Sequence, residues 1–129
     1  MLDPFVVSAE VPASPDFVQV LRNVAAGVAA RLEMPIDQIE EVRLAVTESA
    51  SLLLDEASPT VLRVALAHRD GGLDVRISSD GDAELWPADR IEASWAWLVV
   101  KGLTDQVQLE RDADGSPSIV FSKHGRVAR

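Results

Sequence analysis

Glu48 lies in the run EEVRLAVTESASL, residues 40–52, and a carboxylate held on one face of a helix can orient or deprotonate an attacking hydroxyl. Side chains four residues apart on a helix are neighbours, so Leu52 shares the face of Glu48 and offers no oxygen beside it. The competing reading of Glu48 is a solvated helix carboxylate. A second group, Ser79-Asp80-Gly81, combines a hydroxyl, a carboxylate and a glycine after a strand-like run, although Asp-Gly pairs also make plain turns. A third, Ser94-Trp95-Ala96, opens a short apolar helix, where backbone N–H groups and the helix dipole could hold an anion if side chains left room. Trp86, Trp95 and Trp97 fall within twelve residues of a chain that otherwise has three Phe and no Tyr. Aromatic residues bury much area at low entropic cost, so such a cluster serves either as a partner surface or as a cavity plug.

The elements that must carry these groups are legible from spacing. Residues 5–11 alternate as a strand, then Ser14, Pro15 and Asp16 supply an N-cap, a first-turn proline and a first-turn acid. The first helix follows with Phe17, Leu21, Val24, Val28 and Leu32 on one stripe, and Pro35 ends it. Asp37 with Glu40 reads as a capping box for a second helix, whose stripe is Ile39, Val42, Val46, Ala50 and Leu53. Residues 60–67 and 73–78 alternate around an Asp70-Gly71-Gly72 turn; residues 80–92 read as loop and 93–104 as a short helix. A hairpin of 107–110 and 119–123 closes the chain around Asp114-Gly115, and the tail from 124 reads as frayed.

Composition narrows the function classes. The 129 residues fit one domain with a sizeable core. The absence of cysteine excludes a disulfide framework, and with only His68 and His124 no metal site is expected. A net charge of −9 argues against direct nucleic-acid binding. With no apolar stretch near the roughly 20 residues of a membrane span and no signal-like N-terminus, the expected location is cytoplasmic.

From about residue 11 to residue 123 the chain resembles the anti-sigma factor and serine-protein kinase family with the histidine-kinase-like (GHKL) ATPase fold, in the same element order. The resemblance implies one α+β domain, a two-layer α/β sandwich with its helices on one face of a mixed sheet. In that family a Glu-x-x-x-Asn box supplies a catalytic base and a Mg²⁺ ligand; on Glu48-Ser49-Ala50-Ser51-Leu52 the base is kept as a vestige and the ligand is gone. An Asp-x-Gly-x-Gly box binds adenine there, and its register here is Ser79-Asp80-Gly81-Asp82-Ala83, with one glycine retained and Ser79 or, after a slip, Asp80 in the acid's place. The family's Gly-x-Gly phosphate turn maps to Ser94-Trp95-Ala96, and only twelve residues separate Gly81 from Ser94, short for a lid over ATP.

These departures resemble the divergent actinobacterial sigma-F-type anti-sigma factors, in which a similar Ser-Trp opening precedes the helix. The resemblance implies a non-catalytic protein, with no cofactor, that sequesters an alternative sigma factor and is antagonised by a STAS-domain anti-anti-sigma factor. The alternative is an active kinase that uses ATP and Mg²⁺ to phosphorylate that STAS partner, and a weaker one is an accessory domain that binds the STAS partner alone. Trp86, Trp95, Asp80, Asp82 and Glu84 are expected at or beside a partner surface, with Trp97 as the cavity plug. In the family the first helix carries a dimer contact; here its stripe reads equally as intramolecular core.

Overall fold

The computed structural model describes residues 6–69, 71–81 and 86–124. Strand β1 (Val6–Pro12) is followed by helices α1 (Pro15–Arg31) and α2 (Ile36–Ala57), then by strands β2 (Val61–Arg69) and β3 (Gly72–Ser79). A 3-10 turn at Asp89–Ala93 leads into α3 (Trp95–Leu103), and β4 (Gln106–Arg111) and β5 (Pro117–His124) complete the chain. One sheet of five strands, in the order β1-β2-β3-β5-β4, carries the helices on one side.

The sequence implied a mixed sheet, but every neighbouring pair is antiparallel. The reason lies in the connections. Two helices between β1 and β2 return the chain to the end it left, so β2 runs back along β1. The single helix α3 makes β3 and β4 point the same way, but β5 is inserted between them, and the parallel pair never touches.

Alternation sets the sheet's faces. Leu62, Val64, Leu66, Leu73, Val75, Ile77, Ile119 and Phe121 point under the helices and are buried, while their neighbours in sequence face the other way. The second helix meets them with Val42, Val46, Ala50 and Leu53, as its spacing predicts. The first helix is turned slightly from its predicted stripe. Its buried residues are Val18, Leu21, Ala25, Ala26 and Ala29, whereas Phe17 stays exposed and Val24, Val28 and Leu32 lie at the margin.

Helix ends follow local chemistry with one exception. Ser14 accepts a hydrogen bond from the Asp16 N–H at 3.3 Å, capping α1 as expected. Asp37 is not the N-cap that a capping box with Glu40 needs, because α2 begins two residues earlier, with Pro35 as its N-cap and no side-chain cap bond there. Asp37 instead lies in the first turn, where a negative charge suits the helix dipole. Gly71 and Gly115 take positive φ in the two hairpin turns, and Asp70 lies outside the described residues. No helix among the described residues is long and apolar enough to cross a membrane.

Candidate functional site

α2 and α3 lie side by side, tied at both ends. At one end Arg90 makes a two-pronged pair with Glu56, Nε to Oε1 at 2.9 Å and Nη2 to Oε2 at 2.6 Å. At the other, Lys123 Nζ donates to the Leu103 carbonyl at 2.7 Å and pairs with Glu41 at 3.2 Å. Glu41, Glu48 and Glu56 are spaced seven and eight residues apart and therefore share one side of α2. The outer two are paired. Glu48, half-buried between them, has no hydrogen-bond or ion-pair partner among the described residues. Leu52, one turn on, is buried in the same apolar cluster as Trp86, Ile91 and Trp97. Ser49 beside Glu48 is fully buried and its hydroxyl has no partner.

Asp80, at the exit of β3, holds the start of β2. Its Oδ1 accepts the backbone N–H groups of Thr60 at 2.8 Å and Val61 at 3.0 Å, and its Oδ2 accepts the Thr60 hydroxyl. The Thr60 hydroxyl bond first, then the Val61 N–H, lowers this carboxyl from 3.8 to about 2. Ser79 before it is fully buried, its hydroxyl without a hydrogen-bond partner among the described residues. Gly81 is dictated by packing, because a Cβ there would stand 1.9 Å from the Ala57 carbonyl oxygen at the end of α2. Asp82 and Glu84, expected beside this surface, lie outside the described residues.

The opening of α3 is closed by its own side chain. Ser94 Oγ accepts the Trp97 N–H at 3.2 Å and donates to the Ile91 carbonyl at 2.6 Å. One of the N–H groups that a bound anion would need is thereby satisfied internally. Trp86, expected to face solvent, is only 4% exposed. Its indole N–H donates to the Glu110 carbonyl at 2.8 Å, and its own carbonyl accepts from Arg111 at 2.6 Å, so the tryptophan joins the β3–α3 connection to β4. Trp97 is buried, as its position one residue inside an amphipathic helix predicted. Trp95 is 76% exposed.

A model of the histidine kinase-like ATPase domain matches residues 11–121. The chain belongs to that family. In three dimensions this histidine kinase-like ATPase domain is similar to the RsbU and RsbW domains of Rv1364c from Mycobacterium tuberculosis, with a TM-score of 0.71 at 16% sequence identity. The likeness covers 99% of this chain and 34% of the other, so the chain spans about a third of that protein's length. At this identity it speaks for the fold alone. No curated protein matches the chain in sequence.

The fold buries Leu52, Trp86, Ile91 and Trp97 in one apolar core, and Arg90 ties the 86–94 connection to Glu56 on the helix that also carries Glu48. Among the described residues no group of three or more His, Asp or Glu is placed to hold a metal ion. Two features escaped sequence reasoning. One is the bridging of the connection to both neighbours, through Arg90 to Glu56 and through Trp86 to Glu110, which depends on long-range register and leaves no local signal. The other is a groove of about 430 Å³ on the open face of the sheet, away from Glu48, lined by Ala65, Ala67, Gln108, Val120 and Ser122 beside Arg76. Arg76 is held there by Asp112 at 2.7 Å, Ser118 at 2.9 Å and Glu110 at 2.9 Å.

Proposed function

We propose that this domain is an anti-sigma factor: it binds an alternative sigma factor stoichiometrically in the cytoplasm, releases it when a STAS-domain antagonist competes, and carries a degenerate ATP site. Membership of the histidine kinase-like ATPase family supports the scaffold, and the resemblance in the three motif regions suggests the partners. The observation that favours a binder over a kinase is the start of α3, where Ser94 takes the N–H that phosphate would use. The neighbouring residues agree. Leu52 lies in the core without an oxygen for Mg²⁺, Trp86 and Ile91 are buried in the same core, and Gly81 is kept by contact with Ala57. This set of residues does not fit Mg²⁺-ATP. Phosphoryl transfer depends on positioning and on metal-centred charge stabilisation, and among the described residues no acidic or histidine cluster is placed to hold the metal.

The rival reading, a serine kinase acting on the STAS partner, draws on one fact: Glu48 is half-buried and unpaired, as a waiting base would be. The two readings part on titration with Mg²⁺-ATP and on transfer of phosphate to the STAS protein. The binder shows no saturable nucleotide binding in the millimolar range and no transfer, and sigma-factor affinity is unchanged by ATP. Glu48→Gln then leaves repression of a sigma-dependent promoter nearly intact. Phosphorylation of the STAS protein by the wild type, abolished in Glu48→Gln, would establish the kinase and remove the binder reading.

A further inference from the structure

Apart from Lys101 and Gly102 the residues of α3 are all apolar, more than one covered side of a helix uses. Its inner side sends Trp97 and Val100 into the core, yet its outer side leaves Trp95 76% and Leu98 53% exposed. Residues three apart on a helix are neighbours, so indole and leucine form one ridge. Gly102, four residues beyond Leu98, keeps the end of the ridge low, since a Cβ there would meet nothing within 4 Å. A large exposed apolar ridge is a liability unless something covers it.

The charges around the ridge indicate what would cover it. Asp89 and Glu92 immediately precede α3, are exposed, and have no ion-pair partner among the described residues. The cation between them, Arg90, is taken up by both carboxylate oxygens of Glu56. Asp55, next to Glu56, is a further exposed acid. Lys101 stands at the far end of the helix, so the Trp95 end is the acidic one.

We infer that the Trp95–Leu98 ridge is the docking surface for a basic amphipathic helix of the partner protein. Two apolar groups one turn apart seat between the apolar side chains of a second helix, whose arginines or lysines then meet Asp89 and Glu92. An arginine can also lie over the exposed face of Trp95. The inference rests on the reading of the chain as a stoichiometric binder and names the chemistry of what it binds.

The test uses the whole chain and two synthetic helical peptides about five turns long, each with a leucine stripe at helical spacing, one with arginine and one with glutamate on the flanks. Labelled peptide reports affinity by anisotropy, and tryptophan emission reports Trp95, since Trp86 and Trp97 are already buried. The arginine peptide should bind and move emission to the blue; the glutamate peptide should do neither. Trp95→Ala with Leu98→Ala should weaken binding about thirtyfold or more, and Asp89→Asn with Glu92→Gln about fivefold at low salt with little effect at high salt. Equal binding of both peptides, or an unchanged affinity in the ridge variant while circular dichroism shows it folded, overturns the inference. So does a blue shift that grows with protein concentration alone, which would assign the ridge to a second copy of this chain. The assay contains no sigma factor, so its failure leaves sequestration standing, and a failure to capture any sigma factor leaves the peptide result standing.

Discussion

Trp86, midway along the connection that leads from β3 into α3, and Trp95, nine residues on at the first position of the helix, are used in opposite ways. Trp86 is 4% exposed, with its ring N–H on the Glu110 carbonyl and its backbone carbonyl held by Arg111. Trp95, at the first position of α3, has its ring in solvent. A segment that opens and closes over a ligand needs few buried apolar contacts. This one has Trp86 and Ile91 in the core and Arg90 on Glu56, so it is fastened to both neighbours. Trp86 and Ile91 are inside, whereas Trp95 and Leu98 on the outer side of α3 are exposed. The contrast separates a tryptophan that fastens the connection to β4 from one whose ring stays in solvent.

Trp86→Ala is the strongest challenge to that contrast. It deletes a buried indole, opens a cavity under the connection and leaves the Glu110 carbonyl without its donor, a combined cost of about 3–5 kcal/mol in urea unfolding. Trp86→Phe restores most of the area but not the N–H, so it should recover more than half of that loss. A Trp86→Ala cost below about 1 kcal/mol would mean the ring is not a fastener and would dissolve the distinction from Trp95.

Gly81→Ala comes next. The added Cβ would lie 1.9 Å from the Ala57 carbonyl oxygen, and backbone against backbone cannot yield without moving the end of α2 or β3. A cost of about 1–3 kcal/mol is expected from such overpacking. A glycine kept only for closeness to a ligand would tolerate alanine in the ligand-free protein. Unchanged thermal stability would therefore return Gly81 to the ligand side of the comparison.

Much of this was legible before any coordinates. The α2 stripe of Val42, Val46, Ala50 and Leu53, the Ser14 cap and the alternation of both hairpins are local patterns, and each is in place. Trp97 was placed inside by its position within an amphipathic helix. Trp86 and Trp95 could not be told apart in this way, because what separates them is a carbonyl on β4, 24 residues further along the chain from Trp86. The same limit applies to Asp80. Its partners, Thr60 and Val61, lie across a strand pairing that sequence spacing does not reveal.

Asp80 carries a smaller effect with a definite sign. Its folded-state carboxyl is lowered to about 2 from an ordinary 3.8, so the ionised form favours the native state above the ordinary value. That contribution is lost as pH falls from about 4 towards 2. Because the carboxylate is exposed, solvent screening keeps the contribution small, on the order of 1 kcal/mol or less. Asp80→Asn should flatten the acid limb of a stability–pH profile in that window. A profile identical to the wild type would detach Asp80 from the start of β2 and make its charge available to a partner, as the sequence first suggested.

Trp95→Ala should have the smallest effect on stability, and the prediction is useful because it is small. The indole is 76% exposed and has no hydrogen-bond partner among the described residues, and it occupies the first turn of α3, where the Ser94 cap rather than the ring secures the helix. Alanine is also the better helix former, which offsets what little contact the ring makes with the fold. The unfolding midpoint should therefore stay within about 0.5 kcal/mol of the wild type in the isolated protein, as at other surface positions. Any large loss would show that α3 needs the ring for its own packing, and the ridge would then belong to the fold. If stability holds while partner affinity falls, one tryptophan of the pair serves folding and the other serves binding.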